Sequence, residues 1–279
     1  MKLNKPTAEI FYPIDGVNET QTTHLCISAH HDDIELMALH GVLECFGRDD
    51  KWFAGVVATD GAGSPRNGLY EKYTDEEMKK VRRIEQKKAA VVGEYCAQYL
   101  LDYTSKEIRD GKNQDTVEEF MRIIEQTSPK VLYTHNPADK HDTHLGVCLR
   151  VIEALRRLPK DKRPEKVYGC EVWRDLDWVN DEQKIVLDVS EHPNVANALI
   201  SVFDSQICGG KRYDLAAMGR RTAHATYFAS HGVDDATLLS YAIDLTPLMD
   251  NDISPYEYIK QVYIDEFANV LKKRTEELI

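Results

Sequence analysis

Through the first two thirds of the chain, short apolar runs alternate with longer stretches in which apolar residues recur every three or four positions. The runs at 23–29, 52–59, 99–103, 130–135 and 166–173 predict strands, and the helical periodicity over 33–46, 74–95, 114–127 and 143–157 predicts the helices between them. Thr74, followed three residues later by Glu77, marks one helix start, because each side chain can bond the other's backbone N–H. Alternation of this kind is the signature of repeated βαβ units. The expected fold class is therefore α/β and Rossmann-like, a mostly parallel sheet with helices on both faces. Beyond 173 the pattern loosens into a strand at 185–189, a helical run at 191–206, a Gly-Gly break at 209–210 and a long amphipathic helix at 255–277. This last third reads as an irregular C-terminal elaboration (176–279) on a core of about 20–175, the whole forming one domain over 1–279.

Two polar clusters interrupt this frame, each where a predicted strand ends. His30-His31-Asp32-Asp33-Ile34-Glu35 follows Leu25–Ala29, and His135-Asn136-Pro137-Ala138-Asp139-Lys140-His141-Asp142-Thr143-His144 follows Lys130–Thr134. In an open parallel sheet the carboxyl ends of the strands share one edge, and ligands bind in the crevice there. Segments about a hundred residues apart can thus meet in one site. The Gly- and Pro-rich loop from Gly61 to Tyr73 leaves the same edge and is expected to rim the crevice.

A catalytic zinc commonly takes three protein ligands and keeps a fourth position for water. His30, Asp33 and His144 supply a two-histidine, one-carboxylate set, which also suits ferrous iron. Asp32, beside a ligand but pointing elsewhere, is placed to take a proton from a metal-bound water whose pKa the ion lowers. His141, three residues before His144, would face the same pocket and support a developing oxyanion. Together these are the tools of metal-assisted amide or ester hydrolysis. Taken singly, the His-x-Asp-Asp turn also fits a helix N-terminus with carboxylates at the positive end of the dipole; the pairing of two clusters favours the metal. His135 is open between a ligand, a substrate contact and a strand-end histidine bonded to backbone. His40 and Glu44 share a helix face as a surface pair. Ser205-Gln206 and the run Gly219–His224, with its basic pair on a loop, either reach the crevice or are simply solvated.

The net charge of −12, without any long Lys/Arg run, argues against a nucleic-acid backbone as partner. The six cysteines form no Cys-x-x-Cys pair and read as reduced core thiols. Met1–Pro6 has no signal-peptide character, and no apolar run approaches the ~18 residues a membrane span needs. A cytoplasmic protein is expected, and an acidic enzyme of this size is expected to form a homo-oligomer.

These residues also carry a family resemblance. Ala29-His30-His31-Asp32-Asp33 resembles the Ala-His-Pro-Asp-Asp signature of the PIG-L/LmbE-type zinc N-deacetylases, and His141-x-x-His144 resembles their His-Pro-Asp-His motif. Val56-Val57-Ala58-Thr59-Asp60-Gly61 is similar to the family's Thr-x-Gly turn, and Arg82-x-x-Glu85-x-x-x-Ala89 to its Arg-x-x-Glu helix, so the likeness covers most of 23–150. The resemblance implies zinc ligands at His30, Asp33 and His144, a general base at Asp32, a residue steadying the tetrahedral intermediate at His141, and a substrate-reaching arginine at Arg82. It further implies removal of an acetyl group from an N-acetylated amino sugar or sugar-containing small molecule. Two departures stand out. His31 replaces the usual proline, and Asp142-Thr143 replaces Pro-Asp, leaving Asp139 or Asp142 to support a histidine N–H. Other readings keep the same site on a different amide, such as a thiol conjugate or a natural-product precursor, or make the chain a non-catalytic sugar- or nucleotide-binding module. No Gly-x-Gly-x-x-Gly follows the first strand to favour the last.

Overall fold

A computed structural model describes residues 1–250 and 252–279. Within them eight strands form one sheet: β1 (Glu9–Phe11), β2 (His24–Ser28), β3 (Phe53–Thr59), β4 (Ala97–Tyr103), β5 (Val131–His135), β6 (Lys166–Cys170), β7 (Ile185–Asp188) and β8 (Leu239–Asp244). Their order is β1-β4-β3-β2-β5-β6-β8-β7. The five central strands, β4-β3-β2-β5-β6, run parallel, and β1, β8 and β7 join antiparallel at the flanks.

The helices are α1 (Asp33–Met37), α2 (Leu39–Cys45), α3 (Asp75–Val92), α4 (Ser105–Arg109), α5 (Gln114–Thr127), α6 (Asp142–Arg157), α7 (Pro193–Ser201), α8 (Asp204–Ile207), α9 (Tyr213–Tyr227), α10 (Pro255–Ile259) and α11 (Asp265–Leu278). Every residue of β2 and β3 is buried, which is why both read as unbroken apolar runs without alternation. Successive side chains of β2 point to opposite faces. Leu25, Ile27 and Ala29 join a core with Phe120 of α5 and Val147 and Val151 of α6. Cys26 joins a second core with Ile34 of α1, Val42 of α2, Ala89 of α3 and Leu199 of α7. The sheet is thus covered on both sides, as the sequence pattern predicts.

Several local expectations need correction. The helix predicted over 33–46 breaks at Ala38, and that over 191–206 breaks after Ser201. The basic pair Arg220-Arg221 lies in α9, not on a loop; Arg221 is buried and Arg220 Nη1 donates to the Val172 carbonyl. His40 and Glu44 are not a surface pair, since His40 Nδ1 lies 2.9 Å from the Tyr133 hydroxyl and Glu44 bonds Lys51. The long C-terminal helix contains a π-helical turn over Lys260–Ile264, and α11 beyond it buries no residue. Five cysteines are buried and Cys208 is exposed; all six are unpaired.

Candidate active site

Strand order reverses at β2, with β3 on one side and β5 on the other, and the crevice of such a sheet opens at the carboxyl ends beside this switch. β2 and β5 pair directly, His24 with Val131 through Ile27 with Thr134. The two polar clusters therefore emerge side by side. A lengthwise shift of either strand would separate them.

His30 Nδ1 lies 3.2 Å from Asp33 Oδ2 and 3.1 Å from His144 Nε2, and His144 Nε2 lies 3.3 Å from Asp33 Oδ2. Three atoms bound to one tetrahedral zinc at about 2.0–2.1 Å stand about 3.3 Å apart, so the triangle fits an ion of that size. Asp33 Oδ2 also accepts from the His30 backbone N–H at 2.6 Å, which fixes the carboxylate on the first turn of α1. Two further imidazoles surround the triangle. A nitrogen of His141 comes within 4.8 Å of nitrogens of His30 and His144, and His135 bears the same relation to Asp33 and His144. His135 is fully buried and stacks on His144 with ring centroids 3.9 Å apart, while its Nε2 accepts from the Ala29 N–H at 2.9 Å. That lone pair is committed to backbone.

Burial alone would raise the Asp33 pKa, but the His144 and His30 imidazoles hold it well below the usual carboxylate range. Burial alone would lower that of His144, yet Asp33 and Asp139 raise it to about 9. This mutual stabilisation of carboxylate and imidazolium is what a cation would replace. Of the two acids considered as supports, the structure brings Asp139 to His144, with Oδ2 3.4 Å from Nδ1. Asp139 is itself held by the N–H groups of His141 and Trp173.

Asp32 adopts a left-handed backbone, φ 84°, which turns its side chain away from the triangle. Its N–H donates to Gln86 Oε1 at 3.2 Å and its Oδ2 accepts from Arg82 Nη2 at 2.9 Å. Burial pushes its pKa up to about 7 against the pull of that guanidinium. Arg82 is 2% exposed and also donates to the His31 carbonyl and to Glu85 Oε2; Glu85 in turn accepts from the N–H and hydroxyl of Ser205, each at 2.7 Å. Arg82 thus grips Asp32 and ties α3 to α8, while still lining the cleft. His31 is buried against Gly61. A Cβ at Gly61 would stand 3.0 Å from His31 Nδ1 and 3.1 Å from the Arg82 side chain, and its φ of 77° favours glycine as well. Burial holds the His31 pKa well below its ordinary value.

The cleft, about 450 Å³, is lined by His30, Asp32, Asp33, Arg82 and His141, so these expected residues meet in one cavity, with His144 buried beneath them. Sequence reasoning missed Trp173, Lys211, Tyr213 and Arg109 on its walls, and Gln86 behind Asp32. The loop after Gly61 rims the cleft as expected, through Gly61, Gly63, Ser64 and Pro65, and of the polar residues of the last third expected either to reach the crevice or to be solvated, Gln206 lines it. No described helix is long and apolar enough to cross a membrane.

The fold has counterparts elsewhere. A comparison with curated proteins gives no match. Among solved structures, the chain shares its fold with 4-carboxy-2-hydroxymuconate hydratase of Pseudomonas putida, at TM-score 0.60 and 18% identity over 84% of this chain and 100% of that one. N,N'-diacetylchitobiose deacetylase of Pyrococcus horikoshii gives TM-score 0.61 and 15% identity over 79% and 83%. A zinc-inhibited form of teicoplanin deacetylase gives 0.54 and 14% over 84% and 100%. The family model for PIG-L, GlcNAc-PI de-N-acetylase, matches residues 25–155, the stretch that holds His30, Asp32, Asp33, Arg82, His141 and His144. Over that stretch, just under half of the chain, the sequence is similar to the PIG-L family.

Proposed function

We propose that the protein is a metal-dependent hydrolase that removes an N-acetyl group from an N-acetylated amino sugar or sugar-containing small molecule. The observation carrying this reading is the 3.1–3.3 Å triangle of His30, Asp33 and His144 with the Asp32 carboxylate beside it. The match to the PIG-L family model over 25–155 and two deacetylases of the same fold support the acetamide as the bond attacked. His30, Asp33 and His144 would hold the ion, zinc or ferrous iron. When bound, such an ion polarises a carbonyl and lowers the pKa of a water.

The chain's own groups do the rest. Asp32 accepts the proton of the attacking water and returns it to the leaving amine; a pKa near neutrality suits both steps. Arg82 fixes the carboxylate's orientation and Gln86 its backbone. His141, whose pKa burial lowers, stands at the cleft wall to donate a hydrogen bond to the oxyanion. In this reading 1–279 acts as one domain, since β7 and β8 from the last third continue the sheet. Six unpaired thiols suit the cytoplasm, and the exposed Phe267, Leu271 and Leu278 suit a homo-oligomer.

The test is acetate release from a panel of N-acetylated sugars and glycosides, on protein of known metal content and with a chelated control. Zinc and ferrous iron are titrated separately, because one neighbour of this fold is zinc-inhibited. Release that stops on chelation and returns with one ion supports the reading. A metal-loaded protein releasing no acetate turns attention to a second reading, a hydration, which the hydratase of the same fold favours. A protein that takes up no metal loses both.

A further inference from the structure

Behind the cleft wall lies a second cavity, about 170 Å³, lined by Leu36, Val172 and Ala217 together with Glu171, Arg220 and Arg221. Trp173 and Tyr213, which meet edge to face with ring centroids 6.1 Å apart, line both this cavity and the cleft, so the two share one aromatic wall. Arg221 is 2% exposed, and among the described residues no carboxylate pairs with it. Its Nη2 donates to the carbonyls of Glu35 at 2.8 Å and Leu36 at 3.0 Å, whereas its Nη1 is buried without a partner. A buried guanidinium hydrogen-bonded only to carbonyls, with the Glu171 carboxylate acting on it through space but not bonded to it, is a costly arrangement unless an anion completes it.

Glu171, the carboxylate on the same cavity, does not fill that role. Its oxygens are occupied by His224 Nε2 at 2.9 and 3.1 Å, the Tyr241 N–H at 3.1 Å and the Leu176 N–H at 3.0 Å. Burial lowers the Arg221 pKa to about 10, which leaves it charged at neutral pH. Apart from Ser240 and Tyr213 the remaining walls are apolar, so they suit a carbon skeleton better than a fully hydrated ion.

We propose that this cavity is a subsite for a carboxylate carried on a short apolar stem, received by Arg221 Nη1 and enclosed by Leu36, Val172 and Ala217. Resting on the deacetylase reading, it makes the preferred substrate an N-acetylated compound with a carboxylate-bearing arm that reaches past Trp173 and Tyr213.

The experiment is a titration of the full chain, with chelator present, using butyrate, its uncharged isostere butyramide, and inorganic phosphate, followed by ligand-observed NMR. Butyrate should bind saturably and at least tenfold more tightly than butyramide, since one charge-assisted hydrogen bond to a buried group is worth about 10- to 100-fold. Arg221→Met should abolish the preference. Because Arg221 also holds two carbonyls of the α1 region, Ala217→Leu gives an independent check: it fills the cavity without touching the guanidinium and should abolish butyrate binding in a protein of unchanged circular dichroism. Equal binding of butyrate and butyramide, no saturable binding of either, or butyrate binding that survives Ala217→Leu overturns the proposal. Phosphate binding in place of butyrate overturns the carboxylate assignment. The titration involves neither acetamide nor metal, so its failure and a failure to release acetate are separate results.

Discussion

Asp32 concentrates the chemistry proposed for this fold in one residue, and its environment makes the proposal easy to test. Replacing it with asparagine keeps the size of the side chain and removes the base; acetate release should fall by about 10²- to 10⁴-fold, with metal content unchanged by elemental analysis. His144→Ala should instead lose both, because it removes a corner of the triangle. The pH profile follows from the direction of the Asp32 shift. The group must be ionised to accept a proton, and burial raises its pKa to about 7. kcat/KM should therefore climb about tenfold per pH unit up to that value, and this acid limb should vanish in Asp32→Asn; a limb that persists assigns the ionisation to another group. The histidines and acids of the proposed metal site were legible because metal chemistry restricts residue types and spacing. Gln86 was not, since a glutamine on a helix reads as solvated surface until the fold shows what it faces.

At the scale of elements, periodicity located most of what buries apolar side chains in the first two thirds of the chain. The five parallel strands and α3, α5 and α6 fall where the pattern puts them. α9 escaped because the residues it buries are Arg221, His224 and Ala225, while Leu215 and Tyr227 point outward, so its buried face has no apolar stripe. β1 is three residues long and only half-buried, too short to show alternation. β8 lies among polar turns far from any βαβ repeat. α3 carries its start signal openly: Thr74 and Glu77 bond each other's backbone, and three acids occupy the first turn. Thr74→Ala should lower stability by about 1 kcal/mol in denaturant melts while leaving acetate release intact, as the cap is exposed and Thr74 does not line the cleft. Gly61→Ala should cost more, about 1–2 kcal/mol from the left-handed backbone alone. It should also lower activity, because the added methyl group presses on His31 and Arg82.

Over the whole molecule, the sheet is one continuous platform whose switch point holds the site, while the last helix projects from it. Deleting residues 266–279 should shift the unfolding free energy by no more than about 0.5 kcal/mol, since α11 buries nothing in the chain; a concurrent fall in native mass would place that helix in an assembly contact. Pairing of β2 with β5 joins the two polar clusters, and β3, β4 and their helices lie between them in sequence. Closing so long a loop is a late and slow event in folding. In a newly made chain the donors of the proposed metal site accordingly lie in two separate halves. Ion capture should then trail the recovery of secondary structure during refolding, so that metallation reports completion of the parallel core and excess metal added early does not hasten it.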